Sequence, residues 1–451
     1  MLRQLFLMPL MLLAVSACDS DTVGVCERAS DHILACTGGA GVALESGCNE
    51  AAAGDVLDMD CPAISATVEG GKADGGWASA NDFMCKSLGF GSYCPAIDLA
   101  LGHEHACARR SNGSVACWGM NLYGQLSGRS PRDRESATSV SDLDDVAEMA
   151  LGVFHTCARH HDRTVSCLGL NQAGEIGVRG YGEVREPVVV DGLSRVVQLV
   201  AGNGSNCALH DSGEVSCWGS NVFGELGNGK VDNSDHATPT RVEGLKGVIQ
   251  LSNGWGHVCA LLGDATVSCW GSNYDGQLGH EIDDESVHPQ PGPVEGLTGV
   301  TQLATGDSHS CALHDDGRVS CWGGNERGQL GLELTQSRIT KPVEVAGIRN
   351  AVELVVGKLH TCVRNEDDSV SCWGDNRFGQ LGTGSTGSEP VISPVTVGKL
   401  SRPTKLSAGT DFTCALVAAG GAMCWGKGGS GQLGNDAKRN SASPVTVVDL
   451  L

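Results

Sequence analysis

Fourteen cysteines of the chain form seven pairs, and the two members of each pair are ten positions apart. Paired cysteines can ligate a metal, carry out redox chemistry or form structural disulfides. Zinc sites usually use closely spaced ligands such as C-x2-C, and a redox pair uses C-x-x-C; neither spacing occurs in this chain. We therefore predict disulfides in preference to metal ligands or free thiols. The predicted pairs are Cys107 with Cys117, Cys157 with Cys167, Cys207 with Cys217, Cys259 with Cys269, Cys311 with Cys321, Cys362 with Cys372, and Cys414 with Cys424.

The ten-residue spacing predicts a β-hairpin closed by each disulfide. In the stretch CALHDSGEVSC, a three-residue loop that ends at Gly213 in a positive-φ conformation places Cys207 opposite Cys217 on two antiparallel strands. Four of the seven units have glycine at this third loop position. Arg163, Ala265 and Asp368 occupy it in the other three units, so we expect those loops to differ.

The hairpins belong to a repeat of about fifty residues. The first cysteines of successive pairs lie 50 to 52 positions apart, which indicates a propeller or an array in place of separate domains. Each unit has an apolar strand such as 196–199, the hairpin, a loop and a further strand such as 187–190. Four short strands are the content of one propeller blade. Residues 443–451 have the pattern of an outer strand, for which one expectation is that it completes the first blade.

The segments Cys269–Gly279 and Cys321–Gly331 both read C-W-G-x-N-x-x-G-Q-L-G. This pattern resembles the repeat of the regulator of chromosome condensation family, and the resemblance covers residues 96–451. It implies an all-β fold, a seven-bladed β-propeller with one hairpin disulfide in each blade. We expect the recurring tryptophans to fill gaps between blades and the recurring asparagines to bind loop backbone groups. The departures from the pattern are Ser127, Leu168 and Gly428.

The N-terminus predicts an exported lipoprotein. Arg3 precedes a short apolar run, which is typical of a signal peptide. Val-Ser-Ala-Cys at positions 15–18 resembles the bacterial lipobox, which implies a signal peptide over residues 1–17 and lipidation of Cys18. The chain would then lie in the bacterial cell envelope, attached to a membrane only through its lipid. Residues 18–95 form a predicted cysteine-rich domain or stalk with three disulfides of undetermined connectivity among Cys26, Cys36, Cys48, Cys61, Cys85 and Cys94.

The charge and the motifs argue against several function classes. The net charge of −22, or −22 − 1 = −23 without Arg3, repels phosphate backbones, so we expect no nucleic-acid partner. No nucleophile elbow, phosphate-binding loop or paired catalytic carboxylates occur, so we predict no enzyme, no cofactor and no metal. A histidine two positions before the first cysteine recurs in five units. We interpret it as a repeated turn contact, because equivalent positions lie far apart around a ring. These residues are His105, His155, His257, His309 and His360.

The predicted function is a non-enzymatic binding or scaffold protein. The loops after each G-Q-L-G segment differ in length and charge, and a four-stranded blade presents all of them on one face, where they could bind a protein partner. Neutral drift of exposed loops explains the same variation. Two further alternatives are guanine-nucleotide exchange, which the family resemblance implies, and a glycan-active propeller enzyme, which would need paired acids near the axis. A structural role in the envelope is also compatible with the sequence.

Overall fold

A computed structural model describes residues 94–280, 284–418 and 420–450 of the chain. This part contains 28 β-strands in seven four-stranded antiparallel sheets, and each sheet is built from four consecutive strands. The sheets are the seven blades of a propeller, as the repeat predicts. Among the described residues, no helix long and apolar enough to cross a membrane is found.

The first two strands of each blade are joined by a short turn. The first strands are β1 (Ala96–Leu101), β5 (Val146–Leu151), β9 (Val196–Ala201), β13 (Val248–Asn253), β17 (Val300–Thr305), β21 (Ala351–Val356) and β25 (Pro403–Ala408). The second strands are β2 (His105–Arg110), β6 (His155–His160), β10 (Ser205–His210), β14 (His257–Leu262), β18 (His309–His314), β22 (His360–Asn365) and β26 (Phe412–Val417).

The third and fourth strands are joined by longer connections. The third strands are β3 (Val115–Gly119), β7 (Val165–Asn171), β11 (Val215–Gly219), β15 (Val267–Ser272), β19 (Val319–Gly324), β23 (Val370–Gly374) and β27 (Ala422–Gly426). The fourth strands are β4 (Arg134–Val140), β8 (Gly182–Val189), β12 (Thr240–Arg241), β16 (Val287–Pro293), β20 (Arg338–Glu344), β24 (Val391–Thr396) and β28 (Ser441–Thr446).

The hydrophobic core is divided among the blade interfaces. The first strands contact one another in turn around the ring, so they line the central axis. Each of seven buried apolar clusters combines side chains of two neighbouring blades, as Leu226 and Val242 of blade 3 pack with Leu251 and Trp270 of blade 4. Both faces of a blade are therefore covered by neighbours, which explains why the strands lack a clean apolar-polar alternation.

The cysteine pairs lie opposite each other on the second and third strands, as the spacing predicts. Their Cα atoms are 4.0 to 4.1 Å apart, and the sulfur atoms of each pair are bonded. Each blade therefore contains one hairpin disulfide. In order from blade 1 to blade 7, Cys107 is bonded to Cys117, Cys157 to Cys167, Cys207 to Cys217, Cys259 to Cys269, Cys311 to Cys321, Cys362 to Cys372, and Cys414 to Cys424.

The hairpin loops with and without glycine have the same conformation, so the expectation that they differ was wrong. Arg163, Ala265 and Asp368 have φ values of 70°, 63° and 63°, close to the 76° of Gly213. The opposed cysteines fix the strand register, so the third loop residue takes the left-handed conformation whether or not it is glycine.

The tryptophans lie between blades, as expected. Six buried indoles donate a hydrogen bond from Nε1 to a backbone carbonyl of the preceding blade, at 2.9 to 3.1 Å. The acceptor is always the residue at the Gln position of the G-Q-L-G segment, for example Gln277 for Trp322. Blade 2 has Leu168 at this position, so the interface between blades 1 and 2 lacks the indole bond.

The recurring asparagines bind loop backbone groups, as expected. In six blades the asparagine Oδ1 accepts a hydrogen bond from the amide five residues later, as Asn121 does from Leu126 at 2.9 Å. In blade 7 Gly428 replaces the asparagine. A Cβ atom at Gly428 would lie 2.0 Å from the Arg439 carbonyl oxygen, so the local backbone leaves no space for a side chain.

The expectation that the C-terminal strand completes the first blade was wrong. Strand β28 pairs with β27 inside blade 7, and blade 1 has its own outer strand β4. The ring closes by side-to-side contact of blades 7 and 1. Trp118 donates to the Gln432 carbonyl, and the Ala96 amide donates to the Gly420 carbonyl at 3.1 Å, a contact that other neighbouring blades also make. Lys405 of blade 7 forms an ion pair with Asp98 of blade 1.

Candidate binding face

The central axis is narrowed by a ring of seven glycines at the turns between first and second strands. A Cβ atom on any of them would lie 2.2 to 2.7 Å from the carbonyl oxygen of the next glycine in the ring, a distance that side chains do not tolerate. The cavity at this ring has a volume of about 100 Å³. Small-molecule sites usually enclose about 300–1,000 Å³, so the axis offers room for a few water molecules only. The ring consists of Gly102, Gly152, Gly202, Gly254, Gly306, Gly357 and Gly409.

Beside this ring, the five recurring histidines join neighbouring blades. The Thr156 hydroxyl donates to the Gln125 carbonyl of blade 1 at 2.8 Å, so its oxygen accepts from Nε2–H of His105, at 3.0 Å. The same arrangement links the other four histidines to the following blade. The histidines are turn contacts, as interpreted from the sequence, since the backbone carbonyl of each accepts a hydrogen bond from the amide of the ring glycine three positions before it. Their side chains in addition join neighbouring blades, which the sequence analysis did not predict.

Burial keeps these histidines uncharged at neutral pH. It lowers the pKa of His105, His257 and His309 to about 3 and that of His360 to about 4. It also lowers the pKa of His155. No group of three potential metal ligands is found among the described residues.

The two blades without this histidine show why the contact was missed in the sequence. Ser205 and Phe412 take its place, and the partner positions in the following blades are then the apolar Val258 and Ala106. The signal is present in the sequence. It is found by comparing two positions in neighbouring repeats, because the contact joins two blades. One is the residue just before the first cysteine of a blade, such as Thr156, and the other is the residue two positions before the first cysteine of the previous blade, such as His105.

The two ends of the propeller differ in their side chains. We call one end the loop face: it carries the turns between first and second strands and the connections between third and fourth strands. The opposite end, with the tips of the disulfide hairpins, is the hairpin face. All seven aromatic side chains that are not fully buried in the described part of the chain lie on the loop face. They are Tyr123, Phe154, Tyr181, Phe223, Trp255, Tyr274 and Phe378.

The aromatic side chains of blades 1 to 4 form two groups on the loop face. Tyr123 of blade 1 contacts Phe154 of blade 2 edge-on, with ring centroids 4.9 Å apart. Phe223 of blade 3 contacts Tyr274 of blade 4 in the same way, at 6.5 Å. Tyr181 extends from the connection between β7 and β8 and is 80% exposed. Large aromatic side chains of this kind supply much of the binding energy at protein interfaces.

The remaining part of the loop face, in blades 5 to 7, is dominated by charged side chains. The Lys358 Nζ lies 3.5 Å from a carboxylate oxygen of Asp307 and 5.9 Å from the centroid of the Trp255 ring. In blade 6, the buried Asp375 carboxylate pairs with Arg327 and Arg377, at 3.4 and 2.9 Å.

The acidic groups near the axis have shifted pKa values in opposite directions. Burial raises the pKa of Asp307 to about 6, although Lys358 opposes the shift. Burial also raises the pKa of Asp411. At Glu104, burial acts in the same sense, but hydrogen bonds from Lys427 and Ser430 outweigh it and hold the pKa below its ordinary value. The axis mouth therefore combines two carboxyls that are protonated more readily than usual, Asp307 and Asp411, with one that is held ionised, Glu104.

A model of the RCC1-like domain family matches residues 183–451, which is more than half of the chain. A model of the regulator of chromosome condensation (RCC1) repeat matches residues 96–125. The chain belongs to the RCC1-like domain family.

This RCC1-like protein matches only part of the curated relatives. It is 35% identical over 207 residues to probable E3 ubiquitin-protein ligase HERC4 of Mus musculus, a match that covers 44% of this chain and 19% of HERC4. It is 31% identical over 214 residues to the ultraviolet-B receptor UVR8 of Arabidopsis thaliana, which covers 46% of this chain and 48% of UVR8. The match therefore spans less than half the length of either relative.

Solved structures have the same fold. The human WBSCR16 structure has a TM-score of 0.67 and 25% identity, with 74% of this chain and 94% of that chain covered. Yeast RCC1 (Prp20), solved bound to Kap60, has a TM-score of 0.67 and 22% identity, with 79% of this chain and 85% of that chain covered. The latter likeness shows the fold alone.

Within the RCC1-like propeller, the residues predicted from spacing and the residues of the loop face are separate sets. The paired cysteines are buried in the blade interfaces. Cys18, residues 1–17 and most of the cysteine-rich segment lie outside the described residues, and only Cys94 of its six cysteines is described. The variable loops lie on the loop face, but two of the seven aromatic side chains there, Phe154 and Trp255, come from the short turns. Sequence reasoning compared loop lengths and so missed the turns.

Proposed function

We propose that this RCC1-like protein is a non-enzymatic binding scaffold of the bacterial cell envelope that holds a protein partner on its loop face. The observation that carries the proposal is the placement of all seven incompletely buried aromatic side chains of the described part on that face. Aromatic side chains and arginines are enriched among the residues that dominate binding at protein interfaces, and Arg327 and Arg377 lie on the same face.

The narrow axis supports binding over catalysis on a small substrate at the centre of the ring. The cavity there, at about 100 Å³, is smaller than the cavities that usually hold small ligands. A protein partner needs no deep cavity, since it buries a broad surface.

The test is cross-linking of the tagged full-length protein in the native envelope, followed by mass spectrometry of the captured proteins. One matched pair of variants separates the two faces. Tyr181→Ser removes an exposed aromatic side chain of the loop face, and Ile249→Ser removes a side chain that is 59% exposed at the hairpin-face end of β13. We expect one enriched partner that is lost with Tyr181→Ser and kept with Ile249→Ser. Equal loss in both variants, or no enriched partner, would count against the loop face.

The proposed export and lipid anchor rest on the N-terminal sequence and are supported by the seven disulfides, since disulfides persist in oxidising compartments. Radiolabelled palmitate should be incorporated into the wild-type protein and not into Cys18→Ala. Incorporation into both would place the lipid elsewhere. Glycan binding and nucleotide exchange remain alternatives that the same purified protein can be assayed for directly.

A further inference from the structure

A cavity of about 720 Å³ opens on the loop face at the interface of blades 2 and 3. Its walls include Phe154, Leu170, Ala173, Glu175 and Tyr181. The volume is in the range of sites that bind small molecules or an inserted side chain.

The cavity lies where blade 2 has a small side chain at a position that varies among the blades. The residue two positions before the Gln of the G-Q-L-G segment is Tyr123 in blade 1, Phe223 in blade 3 and Phe378 in blade 6. In blade 2 this residue is Ala173, whose methyl group leaves the space open.

Glu175 is a buried carboxylate with one oxygen free to bind a ligand. Its side chain belongs to a residue only 4% exposed, and Oε2 accepts hydrogen bonds from the amides of Gln172 and Ala173, at 2.9 and 2.7 Å. Among the described residues, no donor is bonded to its other oxygen, Oε1.

In blade 3 both oxygens of the equivalent carboxylate accept hydrogen bonds from the protein itself. Glu225 occupies the equivalent position, and its Oε1 accepts a hydrogen bond from the Ser220 hydroxyl at 2.7 Å. Its Oε2 accepts a hydrogen bond from the amide of Phe223 at 2.7 Å. Blade 2 has Leu170 in place of Ser220, so it lacks the internal donor that its neighbour has.

The charge around the cavity favours a cation. Neither lysine nor arginine is among the residues that line it, and burial lowers the pKa of the lining His155, which leaves that ring neutral. Asp235 lies against the adjacent Gly174, with its Oδ1 buried and without a donor, which adds negative charge nearby. A buried carboxylate without a counter-ion is costly, so a ligand cation would be stabilised there.

From this arrangement we infer that the cavity binds an organic cation, an ammonium or guanidinium group on an apolar stem, which pairs with Glu175 Oε1 while the stem lies between Phe154 and Tyr181. Aromatic rings beside a carboxylate are the surroundings that such groups prefer. The inference does not require the proposed protein partner, because a free amine and a basic side chain of another protein present the same head group.

Isothermal titration calorimetry of the full-length protein tests the inference with three probes. They are agmatine, Nα-acetyl-arginine methylamide and the corresponding citrulline derivative, in which a neutral urea replaces the guanidinium. We expect at least one cationic probe to bind and the citrulline probe to bind at least tenfold more weakly. Tighter binding of agmatine would indicate a free amine as the ligand, and tighter binding of the arginine derivative would indicate a basic side chain.

Three variants locate the site. Glu175→Gln, which copies the residue of five other blades, and Ala173→Phe, which copies blades 3 and 6, should each weaken binding at least tenfold. The matched control Glu225→Gln should stay within twofold of wild type. Thermal melting verifies that each variant is folded. We expect folding to be kept, because other blades carry the substituted residues at the same positions. The inference is overturned if no cationic probe binds at millimolar concentration, if the citrulline probe binds equally well, or if Glu225→Gln weakens binding as much as Glu175→Gln.

Discussion

The blade interfaces and the loop face are built from the same repeats, yet equivalent positions keep similar contacts at the interfaces and carry different side chains on the loop face. At four further interfaces, a histidine meets a hydroxyl or amide of the next blade as His105 meets Thr156. On the loop face, equivalent positions hold Tyr123, Ala173 and Phe223 in three successive blades. Side chains at the interfaces must pack against the next blade so that the ring closes, and few combinations of side chains do so. Side chains of the loop face are not bound by this requirement and can differ from blade to blade. Differences between repeats are thus most informative on that face.

The strongest test of this contrast is acid. The five buried histidines stay neutral in the folded protein down to a low pH, since their pKa values are lowered, to about 3 for His309. In the unfolded chain they take up protons near pH 6.5. The unfolded state thus binds more protons between these values, so the stabilisation is complete above pH 6.5 and is lost as the pH falls. We expect the free energy of unfolding to fall by about 1.4 kcal/mol per pH unit for each histidine.

Urea unfolding between pH 7 and 4.5 measures this slope. The double variant His309→Phe with Thr361→Ala copies the Phe412 and Ala106 pair that blades 7 and 1 use. It removes one histidine from the titration and should therefore reduce the slope of the unfolding free energy against pH by about 1.4 kcal/mol per pH unit. An unchanged slope would show that this histidine is not responsible for the acid sensitivity.

Removing an inter-blade tryptophan should have the next largest effect. Trp322→Ala removes a fully buried indole and its bond to the Gln277 carbonyl, which should lower the free energy of unfolding by about 3–5 kcal/mol. Trp322→Leu, which copies Leu168 of blade 2, should cost less. Chemical denaturation compares the two, and equal losses would mean that the apolar volume of the side chain contributes little.

Each hairpin disulfide should contribute less than a tryptophan. Replacing both Cys259 and Cys269 by alanine should lower the free energy of unfolding by about 2–3 kcal/mol, because the short loop they close loses little entropy in the unfolded chain. Both sulfur atoms belong to fully buried residues. Thiol-specific mass labelling should therefore detect reduction by dithiothreitol only when denaturant is added, and rapid reduction of the native protein would contradict this.

A smaller effect is expected at the hairpin tips. Ala265 has a φ of 63°, which is unfavourable for a residue with a Cβ atom. Ala265→Gly should raise the free energy of unfolding by about 0.5–1 kcal/mol, and Gly213→Ala should lower it by a similar amount. Thermal melting of the two variants should shift in opposite directions; a shift in the same direction would refute the strain argument.

The smallest effect on stability should come from the loop face. Tyr181 is 80% exposed, so Tyr181→Ser should change the free energy of unfolding by less than about 0.5 kcal/mol. Denaturation curves that superimpose on wild type, together with loss of the captured partner, would separate the binding surface from the framework. A large loss of stability would instead place Tyr181 in the framework.

Much of the framework could be predicted from the sequence because it depends on local spacing. Ten positions between cysteines set the hairpin register, the interval between pairs sets the length of one blade, and the seven pairs correspond to the seven blades. The three hairpin loops without glycine were predicted to differ, because glycine adopts positive φ more readily than other residues. The covalent bond between opposed strands decides the conformation there, as Asp368 shows between Cys362 and Cys372.

The candidate site depends on contacts between repeats and could not be predicted in the same way. Glu175 and Glu225 follow the same motif, and only the packing of Ala173, Leu170 and the neighbouring blade shows that one of them faces a cavity. The position of strand β28 is a similar case. Its pattern identified an outer strand, but not the blade to which it belongs.

The sequence by itself therefore determined the strands, their register and the number of blades, since these follow from the order of residues within about fifty positions. Only the tertiary structure decided how the ring closes, which histidine meets which hydroxyl, that the incompletely buried aromatic side chains share one face, and where a repeat leaves a cavity. The physical reason is distance along the chain. Those contacts join different repeats, as His105 and Thr156 of neighbouring blades do, or Trp118 and Gln432 of the first and last blades, and packing selects them after each blade has formed.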